Sequence, residues 1–399
     1  MLRKPHARLN RDYLLMRTYL DHNATSSLRS TAREAMMAAM AGTGNPSSVH
    51  ADGRAARRIL ENARESIAQL VNAAADSIVF TSGGTEAATL ALSGWGGDQI
   101  IVSPTEHACV LEAASDAHTV DVDSDGVVDV ESLRRVLATV KGPSLVACMA
   151  ANNETGVIQP VKEIIEIAHE YGARVLVDAV QIAGKLPILF DEWGVDYLTL
   201  SAHKLGGPAG VGALIVRDGV PLGRAVKGGG QEKGRRGGSE NIVGIAGFGA
   251  AVKDRIELMA SPSPALDFQE RLENGIERIA PDAVIFCKGR DRLANTTCFA
   301  VPGITSETAL IAFDLEGISI SSGSACSSGK VAASHVLEAM GVDGALSRSA
   351  LRVSTGWTTT VDDIDRFLTV FKTLNARLRP DAQIIAKTLV DQKPLVAVA

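Results

Sequence analysis

Residues 197 to 212 read Tyr197-Leu-Thr-Leu-Ser-Ala-His-Lys204-Leu-Gly-Gly-Pro-Ala-Gly-Val-Gly212. An apolar, β-prone run from Val195 to Leu200 meets the polar cluster Ser201, His203 and Lys204, then breaks into a Gly-Gly-Pro turn before a second apolar strand, Gly212 to Val216. The pattern predicts that Lys204 closes a strand and turns inward. Apolar surroundings disfavour the ammonium form, so Lys204 is a candidate Schiff-base amine for a carbonyl cofactor. A solvated loop lysine is the alternative.

Upstream, Arg174-Val-Leu-Val-Asp178 is another short apolar run ending in a polar residue, and Gln181 follows it. A lysine for an aldehyde and an acid for a pyridinium nitrogen are what pyridoxal phosphate requires of a protein. Around these two residues the chain alternates. Strands are expected at Ile78–Thr81, Gln99–Ser103 and Ser144–Ala150. Helical stretches are expected at 33–40, 54–71, from Glu86 to about Leu92, near 131–140 and at 161–171. Such alternation predicts βαβ units, a mainly parallel sheet covered on both faces, and functional residues at the strands' C-terminal ends. His107 and Asn153 follow two of those strands, as Asp178 and Lys204 follow others.

The 399 residues exceed one ordinary core, and a large domain plus a smaller one is expected. A hydrophobic content of 46% with a net charge of −6 describes a globular chain and makes no general case for nucleic acid or an anionic membrane as partner. No apolar run has the length of a bilayer span, and the basic N-terminus lacks a signal-peptide core. Five cysteines without a CxxC pair fit reduced thiols and a cytoplasmic location. Cys148 and Cys298 lie in strand-like runs and read as buried.

Ser82-Gly-Gly-Thr-Glu86 is a glycine turn opening a helix, a common way to hold a phosphate and also a common plain connection. Gly228-Gly-Gly-Gln-Glu-Lys-Gly-Arg-Arg-Gly-Gly-Ser239 is too rich in glycine for an element interior. It reads either as a surface loop or as a phosphate-approaching loop, with Ser239 as donor and Arg236 as charge. Asp121-Val-Asp-Ser-Asp-Gly126 imitates the start of an EF-hand, but Ser132 stands where the bidentate acid belongs, and an acidic turn is the better reading. A helix is expected over Asn241 to about Met259, with Ser261-Pro-Ser-Pro264 stopping it. Beyond lie expected strands at 283–286, 296–301, 318–321 and 351–354, and helices at 306–315, 334–340 and 361–378.

Ser321-Ser-Gly-Ser-Ala-Cys326-Ser-Ser-Gly-Lys330 surrounds a thiol with small residues that leave room for another molecule to reach the sulfur. An incidental surface cysteine is the alternative. Arg352, in the apolar run Leu351–Ser354, demands an anion, either a substrate carboxylate or a structural partner.

Nine short motifs occur in one order: Tyr19-Leu-Asp-His-Asn-Ala-Thr, Gly44-Asn-Pro-Ser-Ser-Val-His, Phe80-Thr-Ser-Gly-Gly-Thr-Glu, Thr105-Glu-His, Asn152-Asn-Glu-Thr-Gly, Val177-Asp-Ala-Val-Gln, Ser201-Ala-His-Lys, Gly228-Gly-Gly-Gln-Glu and Ser321-Ser-Gly-Ser-Ala-Cys. Over about residues 18–378 the chain resembles the cysteine desulfurases, in the class V, fold-type I group of pyridoxal phosphate enzymes, and specifically the branch that supplies sulfur for iron–sulfur clusters. The resemblance implies an α/β fold with a mainly parallel seven-stranded sheet plus a smaller α/β domain. The divisions expected are an extension at 1–18, a large domain at 19–262 whose residues 19–30 can pack with the smaller one, a small domain at 263–380 and a tail at 381–399.

The resemblance also implies roles. Lys204 would hold the cofactor aldehyde, Asp178 would pair with the ring nitrogen, and His107 would stack on the ring and move protons. Gln181 and Asn153 would lie near the phenolic oxygen, Asn153 also near substrate. Gly84, Thr85, Ser201 and His203 would bind the phosphate, joined by Ser239 of a second subunit in a homodimer. Arg352 would take the carboxylate of L-cysteine, and Cys326 would carry the sulfur as a persulfide to an acceptor protein such as an iron–sulfur scaffold. No metal is expected. Ala87, Ala88 and Thr89 depart from the polar residue usual after Glu86, and Trp357 is also unusual. A selenocysteine lyase or another β-eliminating relative, and an inactive assembly partner of the same fold, are the rival readings.

Overall fold

The computed structural model describes residues 17–261, 263–323 and 333–380. Its strands are β1 (Thr18–Tyr19), β2 (Ile78–Thr81), β3 (Gln99–Val102), β4 (His118–Thr119), β5 (Ser144–Met149), β6 (Arg174–Asp178), β7 (Tyr197–Ser201), β8 (Gly212–Val216), β9 (Val284–Ile285), β10 (Thr296–Ala300), β11 (Ile318–Ser319) and β12 (Ala350–Ser354). Seven of them form one sheet in the order β2-β8-β7-β6-β5-β3-β4. The run from β7 to β4 is parallel, and β8 is inserted antiparallel between β7 and β2.

Why these strands read as continuous apolar runs is plain from where their side chains go. Along β5, Val146 and Cys148 enter one core with Val175, Val177 and Leu198, while Leu145 and Ala147 enter the opposite core with Leu176 and Tyr197. Both faces are dry, so neither parity of residue is free to be polar. The helices Ala51–Val71, Val161–Glu170 and Ile242–Met259 supply residues to the first core, and Gly84–Gly94 to the second. Polar side chains are thereby left to the strand ends, which places Asp178 and Ser201 on one edge of the sheet.

A three-stranded antiparallel sheet, β12-β10-β9, has its own core around Phe299, Phe313, Phe367 and Phe371. The N-terminal β1 pairs in parallel with β11, Thr18 opposite Ile318, and Leu20 is buried in the core around Phe299. Between these units the chain carries a helix absent from the sequence reading, Ala265–Ile279, with Phe268, Leu272 and Ile276 on its buried face. The strand expected over residues 283–286 shortens to Val284–Ile285, since β9 pairs through only two residues. Cys148 and Cys298 are buried as expected. The acidic turn at 121–126 is closed by Asp123 Oδ1 accepting from Asp125 and Val127 N–H, and Arg290 bonds both Asp123 and Asp125. No described helix is long and apolar enough to cross a membrane.

Candidate active site

Lys204 ends the single helical turn that follows β7, and its side chain turns into the molecule. Nζ donates to the carbonyls of Asn23 and Ala24, the latter at 2.8 Å. The carbonyl of Asn23 also accepts from Gln181 Nε2 at 3.1 Å, so the lysine amine and the glutamine amide meet on one oxygen.

Asn23, 1% exposed, ties distant segments together. Its Nδ2 donates to the Asn153 carbonyl at 3.2 Å and to Thr296 Oγ1 at 2.9 Å, and its own N–H donates to Ser354 Oγ at 2.9 Å. The Asn153 carbonyl also accepts from Arg352 Nη1 at 2.9 Å, and Arg352 Nη2 bonds Asp21 at 2.7 Å. Lys204, Gln181, Asn153 and Arg352 therefore share one hydrogen-bonded network. Arg352 has its structural partner in Asp21, while no described residue bonds its buried Nε.

At the end of β6, Asp178 Oδ1 accepts from Val180 N–H at 2.9 Å and from Thr199 Oγ1 at 3.1 Å, and no described residue bonds the other oxygen. Gly84 opens the helix Gly84–Gly94, where Gly83 provides no side-chain cap. A Cβ on Gly84 would stand 3.7 Å from Ser201 Cβ and 3.1 Å from Val180, so the helix start lies against the ends of β6 and β7. An uncapped helix N-terminus offers N–H groups and positive potential to a phosphate.

His203 Nδ1 lies 3.2 Å from Thr25 Oγ1, and burial, aided by Lys204, lowers its pKa to about 4, so it is neutral near pH 7. His107 begins the helix Ala108–Ala113, and its Nδ1 accepts from Cys109 N–H at 3.1 Å. In the neutral ring the proton is then on Nε2.

Thr85 and Ser239 are exposed. Arg236 is engaged by Glu86 at 2.7 Å rather than left as a charge for a phosphate. Cys326 lies outside the described residues, but residues near both ends of its segment are placed. Ser321 exchanges two backbone bonds with Arg352, at 3.1 and 2.6 Å, and Ser334 Oγ donates to Glu154 Oε2 at 2.6 Å.

Sequence reasoning missed Asn23 as a junction, along with Asp21, Lys185, Glu106 and Glu154. Glu106 and Glu154 adjoin residues already singled out, and Lys185 stands four residues beyond Gln181, which was the available signal.

The class-V aminotransferase family model matches residues 18–367. The chain belongs to the class-V aminotransferase family. Within it, a cysteine desulfurase of Cereibacter sphaeroides is 42% identical over 91% of this chain and 97% of its own length. An IscS-like cysteine desulfurase of Mycobacterium tuberculosis is 37% identical over 90% of this chain and 97% of its own. Among solved structures, a NifS-like protein from Rickettsia africae superposes with a TM-score of 0.83 at 35% identity, covering 90% of this chain and 99% of that one.

The cofactor of class-V aminotransferases of this branch is pyridoxal phosphate, and the residues present suit it. An inward lysine, a carboxylate oxygen with no bond from a described residue and an uncapped helix start adjoin along one sheet edge.

Proposed function

We propose that the chain is a cysteine desulfurase whose Lys204 holds pyridoxal phosphate. It takes sulfur from free L-cysteine, releases L-alanine and passes the sulfur on as a persulfide of Cys326. The observation that carries this reading is the convergence of Lys204 Nζ and Gln181 Nε2 on the Asn23 carbonyl, at the strand ends that also bear Asp178. Pyridoxal phosphate, when bound, supplies an electron sink for the bonds at the substrate's α-carbon.

The protein's own groups do the rest. Asp178 keeps an oxygen for the ring nitrogen, and Gly84, Thr85, Ser201 and His203 receive the phosphate, with Ser239 of a second subunit. Lys204 Nζ and His107 Nε2 hold and move protons beside the substrate, and Asn153 orients it. Arg352 takes the substrate carboxylate, its Nε, which no described residue bonds, being one donor for it.

The Cys326 thiolate attacks the substrate sulfur. A sulfur–sulfur bond forms as the carbon–sulfur bond breaks, and the released electron pair stays with the substrate skeleton, which gains protons to become alanine. The thiol thus becomes a persulfide without an external oxidant, and an acceptor protein such as an iron–sulfur scaffold then takes the outer sulfur. Exposed Met37, Met40 and Val49, at 63%, 64% and 88%, support a homodimer, since large apolar side chains so close in sequence seek cover.

The test is purified protein loaded with pyridoxal phosphate. A visible absorption band should be present, absent from Lys204→Ala, and retained in Cys326→Ser together with loss of sulfide release from cysteine and reductant. Undiminished sulfide release by Cys326→Ser would refute the persulfide role.

A further inference from the structure

Lys185 is a second amine in this network. Its Nζ lies 3.3 Å from Gln181 Oε1 and 3.5 Å from Asn23 Oδ1. A lysine head only donates while charged, and a carbonyl oxygen only accepts, so the two ends of the Gln181 amide are decided separately. Oε1 faces the donor Lys185, and Nε2 faces the acceptor Asn23 carbonyl, which Lys204 shares. Turning the amide over would set donor against donor at one end and acceptor against acceptor at the other.

We propose that Lys185 is a positioning residue that holds the Gln181 amide by its oxygen, so that the Gln181 nitrogen is the end kept beside the Lys204 amine.

The inference rests on the reading of Lys204 and Gln181 as cofactor residues and adds a residue which that reading does not use. A spare surface lysine would have no reason to stand half-buried among cations. The charged and titratable groups that bear on Lys185 are Lys204 after β7, Arg255 on the helix Ile242–Met259, Arg352 on β12 and His22 before Asn23. Burial first, then Lys204, Arg255 and Arg352, push its pKa down to about 7. The contact with Gln181 and Asn23 occupies an amine whose charge this environment disfavours.

The test compares Lys185→Met, which keeps the length and removes the donor, with Lys185→Arg, which restores one. Apoprotein is mixed with pyridoxal phosphate, and growth of the visible band gives a capture rate; the band's pH midpoint is read afterwards. Lys185→Met should slow capture about tenfold and raise the midpoint, because a nearby positive charge is gone, while the apoprotein melts within about 2 °C of wild type. Lys185→Arg should recover much of the rate. In a Gln181→Ala background, Lys185→Met should slow capture no further.

Wild-type capture and midpoint in Lys185→Met, or full additivity with Gln181→Ala, would overturn the inference and leave the desulfurase reading intact. If Lys185→Met fails to fold, Lys185→Gln takes its place in the same cycle. A wild-type chain that captures no pyridoxal phosphate removes the underlying reading, and this inference with it.

Discussion

Arg352 and Asp21 form an ion pair at 2.7 Å, with the Arg352 side chain 3% exposed and Asp21 19% exposed. The guanidinium proposed to take the substrate carboxylate is thus already paired with a residue of the N-terminal segment. Arg352→Gln should raise the KM for cysteine about thirtyfold while leaving the visible band in place. Asp21→Asn should lower thermal stability, because it leaves a buried cation without its partner, yet should not raise KM. Steady-state kinetics and thermal melts of both variants decide the matter; an unchanged KM in Arg352→Gln would take the carboxylate away from this residue.

Glu154 lies between the two described ends of the segment that bears Cys326. It accepts from Ser334 Oγ at 2.6 Å, and a Cβ on Gly323 would stand 2.2 Å from the same Oε2. Gly323→Ala is therefore expected to displace that end of the segment, cutting sulfide release about tenfold or more with no change in the absorption band. Equal loss of band and turnover would point to a general folding defect instead.

The Gly-rich stretch from Gly228 to Ser239 is anchored by a buried ion pair. Arg64 bonds both oxygens of Glu232 at 2.9 Å, and Glu232 also accepts from Phe80 N–H at 2.9 Å. Removing Glu232 leaves the buried Arg64 with only the half-exposed Glu61 as counter-charge, so Glu232→Ala should destabilise the fold by about 3 kcal/mol, measured by urea unfolding. The conformation of this stretch, including positive φ at Glu232 and Lys233, should be lost with it.

Glu106 is buried, with Oε1 accepting from the Met149 N–H at 2.7 Å and Oε2 without a partner among the described residues. Burial raises its pKa from 4.5 to about 8, against the lowering effect of the Met149 bond. An acid whose folded pKa is raised stabilises fully below its unfolded value and loses that contribution as pH rises toward the folded one. Melting temperature should therefore carry a downward component between pH 4.5 and 8, and Glu106→Gln should flatten it. His22, lowered from 6.5 to about 4 chiefly by burial, contributes with the opposite sign, its stabilisation fading as pH falls from 6.5 toward 4.

Much of the sheet was legible because its strands are buried on both faces, which leaves continuous apolar runs such as Ser144–Met149 punctuated by polar residues at their ends. Asp178 and Lys204 could be picked out for that reason. Asn23 could not, since what it contributes to Lys204 and Gln181 is a backbone carbonyl, which every residue possesses. Arg352 was legible as a cation needing an anion, but its partner Asp21 lies 331 positions away, beyond any local pattern. The helix Ala265–Ile279 did leave a signal, in Phe268, Leu272 and Ile276 at helical spacing, yet the neighbouring prolines draw the eye to a break.

The bonds of Asn23 also order events in time. Its partners at Thr296 and Ser354 lie 273 and 331 residues downstream, so a ribosome delivers the first member of this junction long before the last. Sheet and helices can gather as they emerge, but the hydrogen-bonded network around Lys204 stays unfinished until Ser354 has been made. A site that holds vitamin B6 through Lys204 is therefore expected to form only after residue 354 has joined it.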